Sequence, residues 1–205
     1  MRILKINPRH PEKEKLLEAA KTIREGGVVV YPTETLYGLG ANVFDKDAVR
    51  KVFTIKSREK HKPLSVAVKN LSDAKKLVKF NPVALKLAKK FLPGPLTLVL
   101  PLKDNRLNTV TAGRKTLGIR IPGNKIALSL LKYANVPMTS TSANISGKKS
   151  VNMQGMINQV GNKVNLILDA GKCKFGKPST IVSVIGNEIK ILRIGAIPEE
   201  EILKI

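Results

Sequence analysis

Four sets of side chains in this 205-residue chain are best placed to do chemistry. Pro32–Thr33–Glu34–Thr35, followed by Tyr37–Gly38–Leu39–Gly40, joins two hydroxyls, a carboxylate and glycines, a set that suits a small polar ligand or an ordinary turn. Lys56 through Lys62 (KSREKHK) is a cationic loop held at one end by Pro63. It reads as a solvated charge run or as an anion site, with Arg58 supplying the fork that matches carboxylate and phosphate. Thr139 through Gly147 (TSTSANISG) follows an apolar run and offers hydroxyls, amides and backbone N–H groups for a concave anion site. Arg120, before Pro122–Gly123, and Arg193, before Gly195, each close an apolar run. An arginine there can clamp a carboxylate or phosphate, or pair with a surface acid.

Other chemistries are poorly supplied. No phosphate loop of the G-x-x-x-x-G-K-[ST] type is present, and Val43 stands where a dinucleotide pattern begun by Gly38–Leu39–Gly40 needs its third glycine. A Ser-His-Asp triad would have to use His10 or His61, and neither lies in a promising setting. The single cysteine, Cys173, excludes a disulfide framework and a Cys-rich zinc site, and suggests a reducing compartment. With 15 carboxylates, no metal site built from protein ligands is expected. A Mg2+ ion would bind through substrate phosphates.

The charge is +22, from 37 basic and 15 acidic residues. That excess points to a polyanionic partner or to a lysine-coated surface. Only 9 of the basic residues are arginine, so each arginine near Gly, Pro or Ser is a candidate ligand group. No signal peptide and no apolar run of about 20 residues is evident, so a cytoplasmic protein without a membrane partner is expected.

The i, i+4 spacing of Leu16, Ala20 and Arg24, with Leu17 and Ile23 beside them, predicts a helix ending at Gly26–Gly27, and Val28–Tyr31 predicts a strand buried on both faces. Helices are expected from Asp45 or Asp47, after Ser72, from Asn81–Pro82 to Phe91, over 125–133, over 153–160 and after Pro198. Strands are expected at 64–68, 96–102, 117–121, 136–140, 164–169 and 180–184, with a hairpin turning at Gly186–Asn187 and returning over 189–194. The alternation predicts one α/β domain over 1–205, with a mixed sheet and flanking helices.

In this order, the motifs Tyr31–Pro–Thr–Glu–Thr–Leu–Tyr–Gly–Leu–Gly40, Lys56–Ser–Arg58, Lys62–Pro–Leu64, Leu92–Pro–Gly–Pro95, Gly118–Ile–Arg–Ile–Pro122, Ser140–Thr–Ser–Ala–Asn144 and Pro178–Ser–Thr–Ile181 resemble the YrdC-type threonylcarbamoyl-adenylate synthases. The resemblance covers roughly residues 12–197. It implies a single-domain fold with a twisted mixed sheet and flanking helices around a basic cavity, and a nucleotidyltransferase that joins L-threonine, bicarbonate or CO2, and ATP into threonylcarbamoyl-AMP and pyrophosphate. A downstream transfer complex would then use the product on tRNA.

Carried over position by position, it implies that Lys56, Arg58, Ser142 and Asn144 surround the triphosphate as the catalytic set, with Lys60 nearby. Thr116, Ser140, Ser150 and Arg193 would contact the nucleotide. Arg120 would hold the threonine carboxylate, with Thr33 and Ser179 beside the amino acid. Two departures stand out. Some relatives carry a His a few residues after the Pro-Leu, where Ala67 stands here, and longer relatives add a C-terminal domain, making this the short form. Two rival readings are a non-catalytic module binding tRNA or double-stranded RNA, and a related carbamoyl-adenylate enzyme. The scarcity of aromatics argues against a stacking platform for single strands.

Overall fold

The computed structural model describes residues 1–149, 153–186 and 188–205. The chain runs β1 (Arg2–Lys5), α1 (Lys13–Arg24), β2 (Val29–Tyr31), β3 (Gly38–Gly40), α2 (Lys46–Ile55), β4 (Val66–Ala67), α3 (Leu71–Leu77), α4 (Pro82–Phe91) and β5 (Leu96–Pro101). It continues through α5 (Asn108–Thr111), β6 (Thr116–Arg120), α6 (Lys125–Ala134), β7 (Met138–Thr139), β8 (Thr141–Ser142), α7 (Met153–Val160), β9 (Leu166–Asp169), β10 (Thr180–Ile185), β11 (Glu188–Arg193) and α8 (Glu199–Leu203).

The helices form where periodicity and caps place them. The Asp45 side chain accepts from the N–H groups of Asp47 and Ala48 at the start of α2, and Asn81 does the same for Ala84 in α4, with Pro82 in the first turn. Asn124 caps α6 through Ile126 and Ala127. Each cap satisfies N–H groups that have no partner inside the helix.

The expected mixed α/β class is borne out, but the single sheet is not. The strands form two mixed sheets, ordered β1-β9-β2-β3-β8 and β11-β10-β5-β6-β4-β7. The expected strand over 136–140 is where the prediction breaks. Met138 and Thr139 pair with β4 in the second sheet, whereas Thr141 and Ser142 pair with β3 in the first. The chain changes sheets at Ser140, and two-residue strands leave too little periodicity to show it.

Strand β2 is buried on both faces, as expected. Val30 packs into one apolar cluster with Leu39, Val52, Leu98 and Ile119, while Val29 and Tyr31 face another with α1 and α6. The sequence reading misses β3, because a Gly-Leu-Gly run has low strand propensity. The packing explains those glycines. A Cβ on Gly40 would lie 2.9 Å from Tyr31 Cε1, and one on Gly38 would lie 3.1 Å from Tyr31 Cζ. They seat the antiparallel partner of β2 on the Tyr31 ring, and no flexible loop forms there. Strands β1 and β8 and the short α5 also escape the sequence reading. Among the described residues, no helix is long and apolar enough to cross a membrane.

Candidate active site

The two sheets meet around a cavity of about 390 Å³. Its floor is one face of the second sheet. Successive strand residues point to opposite faces, so Leu117 and Ile119 are buried in the core while Thr116, Gly118 and Arg120 line the cavity. On β5, Leu96, Leu98 and Leu100 go inward and Thr97 and Val99 face the cavity. The register brings these faces together, with Val99 opposite Gly118 and Thr97 opposite Ile181 of β10.

Gly118 keeps this floor open. A Cβ there would sit 2.8 Å from Ser65 Oγ and 3.5 Å from Thr97 Cγ2.

The end of α2 delivers the cationic loop. Ser57 N–H donates to Thr54 O and Arg58 N–H to Phe53 O, a helix end in which the residue after the cap turns left-handed. Ser57 occupies that position with φ +48°, a conformation that disfavours a side chain by about 1 kcal/mol or more. This turn sends Lys56 inward and Arg58 back over its own loop. Arg58 Nε donates to Lys62 O at 3.0 Å and a terminal nitrogen donates to Pro63 O at 2.9 Å. Arg58 also lines the cavity. Burial holds its guanidinium below the ordinary arginine value.

Lys56 is 2% exposed. Its Nζ donates to Ser142 O (2.5 Å), Asn144 O (2.7 Å) and Asn144 Oδ1 (3.2 Å). Ser142 Oγ also donates to Asn144 Oδ1, and Asn144 Nδ2 donates to Lys148 O. Burial, and secondarily the Arg58 charge, lower the Lys56 pKa to about 8. Three members of the expected catalytic set are therefore bonded to one another along the cavity wall.

The segment after β7 differs from an open nest of N–H donors. Ala143 N–H is taken by Tyr37 O, Asn144 N–H by Ser142 O, Ile145 N–H by Gln159 Oε1, Ser146 N–H by Lys56 O and Lys148 N–H by Ile145 O. These internal bonds shape the wall, and the side-chain cations supply most of the attraction for an anion. Among the described residues six cations line the cavity: Lys56, Arg58, Lys62, Arg114, Arg120 and Arg193. No carboxylate lines it among the described residues.

At the far end, Arg120 is buried and ion-paired with the equally buried Glu34 at 2.5 Å, and its other terminal nitrogen donates to Thr35 Oγ1 at 3.2 Å. The carboxylate that Arg120 holds here is the protein's own. Arg193 donates twice to Ser179 O, at 3.1 and 2.8 Å, and once to Ser179 Oγ at 3.2 Å. Ser179 Oγ also pairs with Thr97 Oγ1 at 2.9 Å. Thr33 spends its hydroxyl locally. It donates to Leu36 O at 2.6 Å and accepts from the N–H groups of Thr35 and Leu36, so the first segment is both a turn and a cavity wall.

Ten of the expected site residues line this one cavity: Thr33, Lys56, Arg58, Thr116, Arg120, Ser140, Ser142, Asn144, Ser179 and Arg193. Lys60 does not; it is exposed in the loop. Ser150 lies outside the described residues, as does Asn187 of the expected hairpin turn. Ala67, at the site of the His departure, is fully buried in β4 and does not line the cavity. Sequence reasoning missed Thr97, Arg114, Gly118 and Ser65 as wall residues. The strict alternation in Thr-Leu-Gly-Ile-Arg was the available signal for the floor. Among the described residues, no three His, Cys, Asp or Glu side chains cluster to hold a metal.

Comparison with known proteins identifies relatives of the same fold. A protein of Methanocaldococcus jannaschii is 42% identical over 195 residues, covering 94% of this chain and 92% of that one. A Pyrococcus abyssi protein named threonylcarbamoyl-AMP synthase is 39% identical over 196 residues, covering 95% of this chain but 58% of its own length. The crystal structure of P. abyssi Sua5 complexed with L-threonine has a TM-score of 0.95 at 38% identity, covering 100% of this chain and 60% of that one. This chain thus spans nearly all of one relative and a little over half of the other. A family model described as Telomere recombination (Sua5_yciO_yrdC) matches residues 21–195. The chain belongs to the Sua5/YciO/YrdC family.

Proposed function

We propose that the protein is a threonylcarbamoyl-AMP synthase, an adenylyl-transferring enzyme that consumes ATP, L-threonine and bicarbonate or CO2. The observation that carries this reading is the convergence of six of the seven sequence motifs on one cavity, all but Leu92–Pro–Gly–Pro95, with six lining cations and no lining carboxylate among the described residues. The cavity's volume is in the range that holds a small substrate. A concave cationic site of that size favours a nucleotide over an RNA duplex.

In this reading the threonine amine adds to CO2, giving a carbamate. A carbamate oxygen attacks the α-phosphorus of ATP, and pyrophosphate leaves. No enzyme nucleophile is needed. Adenylyl transfer of this kind depends on positioning and on charge stabilisation. Arg58 and Lys62 would meet the phosphates at the mouth. Lys56, Ser142 and Asn144 would hold the wall on which the nucleotide rests, and Ser140, Thr116 and Arg193 would flank it. Arg120 would receive the threonine carboxylate with the donors left over from Glu34 and Thr35.

Any Mg2+ would arrive with the ATP phosphates, because among the described residues the cavity wall offers no carboxylate to hold it. The product would pass to a separate activity that modifies tRNA, in keeping with a cytoplasmic setting. The test is incubation with ATP, threonine and bicarbonate, followed by mass spectrometry. Threonylcarbamoyl-AMP that disappears when threonine is omitted supports the proposal. ATP turnover without that product defeats it.

A further inference from the structure

Glu34 is built against the cavity without entering it. Its residue is 5% exposed, and it is absent from the cavity lining. One carboxylate oxygen accepts from Arg120, while Oε2 is buried with no partner. Phe175 N–H donates to Glu34 O at 2.9 Å, closing the segment after β9 over it. Arg193 lines the same cavity as Arg120, and burial first and the Arg120 charge second hold its guanidinium below the ordinary arginine value. The cavity corner thus carries two guanidinium groups backed by one internal carboxylate.

That charge count matters because an arginine fork fits carboxylate and phosphate alike. An unscreened pair of arginines would attract the phosphates of ATP or the released pyrophosphate as readily as an amino acid. Discrimination then needs something unfavourable to the wrong anion.

We propose that Glu34 is a positioning and selectivity residue: it orients Arg120 and offsets its charge, so that the Arg120–Arg193 corner accepts one carboxylate and disfavours a pyrophosphate-like polyanion. This rests on reading the cavity as the site for ATP and threonine. Glu34 touches no substrate and acts through Arg120.

The test uses Glu34→Gln, which keeps the side-chain size and an oxygen for Arg120 but removes the charge. Titration calorimetry on the wild-type and variant proteins measures threonine and inorganic pyrophosphate separately, beside thermal unfolding. Threonine should bind about tenfold more weakly and pyrophosphate about tenfold more tightly in the variant, an opposed change in affinity. Glu34→Asp, which withdraws the carboxylate by one methylene, should shift both affinities in the same directions by less. It also provides the measurement if Glu34→Gln does not fold. A loss of both affinities together, or wild-type values in both variants, overturns the proposal. If the wild-type protein makes no threonylcarbamoyl-AMP, the functional reading fails by itself, and the ratio of the two affinities still decides the part played by Glu34.

Discussion

Asn144 meets the ammonium of Lys56 twice, through its main-chain oxygen at 2.7 Å and through Oδ1 at 3.2 Å, across 88 residues of chain. Ser142 O provides the third acceptor at 2.5 Å. An ammonium has three N–H donors, so the charged form of Lys56 is fully used. In this conformation Lys56 braces the wall, and what it offers the cavity is its charge, with no N–H left free.

That geometry predicts a titration. In protein carrying isotope-labelled lysine, one NMR signal should titrate near pH 8, as burial dictates. It should vanish in Lys56→Met. The unfolded chain keeps this proton up to about 10.4, and the folded protein releases it earlier. Between those values the unfolded state binds more protons, so this group's share of stability rises with pH. A Lys56 signal titrating at the ordinary lysine value would show that the ammonium is not desolvated.

Arg58 closes its loop on Lys62 O and Pro63 O while it lines the cavity. Arg58→Ala removes both the clamp and a cation. Pyrophosphate release from ATP, dependent on threonine and bicarbonate, should fall at least a hundredfold, about the loss of a charge-assisted contact of 3 kcal/mol. Near-normal turnover in that variant would refute the role.

Arg120→Lys keeps the charge beside Glu34 and loses the planar fork. The Michaelis constant for threonine should rise about tenfold or more, with a much smaller change for ATP. An equal rise for both substrates would count against a carboxylate clamp. Arg120→Ala is a poorer test, because it leaves Glu34 as a buried unpaired charge, which costs about 3–5 kcal/mol of stability.

Gly118 faces the cavity from the middle of β6, with Ser65 and Thr97 beside it. In Gly118→Ala, rotation of Ser65 Oγ relieves the closest contact, so substrate binding should change little. In Gly118→Val, the branched side chain fills the floor, and substrate affinity should drop about tenfold with the fold kept. Circular dichroism and binding measured together check this. Equal binding by the two variants would remove Gly118 from the floor.

Much of the site was legible in one dimension. The scarce arginines at 58, 120 and 193, and the hydroxyl-rich segment after residue 138, all reached the cavity. Lys60 did not, because the Arg58 clamp and the helix end at Ser57 leave it on the outer side of the loop. The floor was obscured for another reason. Leu96 to Leu100 reads as an apolar run interrupted only by Thr97, in which Thr97 and Val99 look like core until the pairing with β6 and β10 shows them facing a cavity.

What the sequence by itself determined is local: helix positions, through periodicity and the caps at Asp45, Asn81 and Asn124, and the alternation of β6, which puts Arg120 on the face opposite Leu117 and Ile119. The tertiary structure alone decided which partners those residues meet. The change of sheet at Ser140, the capture of Lys56 by Asn144 and the pairing of Arg120 with Glu34 each join segments far apart in the chain. Local propensity carries no information about such contacts. They arise when the two sheets bury their apolar faces and leave a few polar groups no other partners within reach.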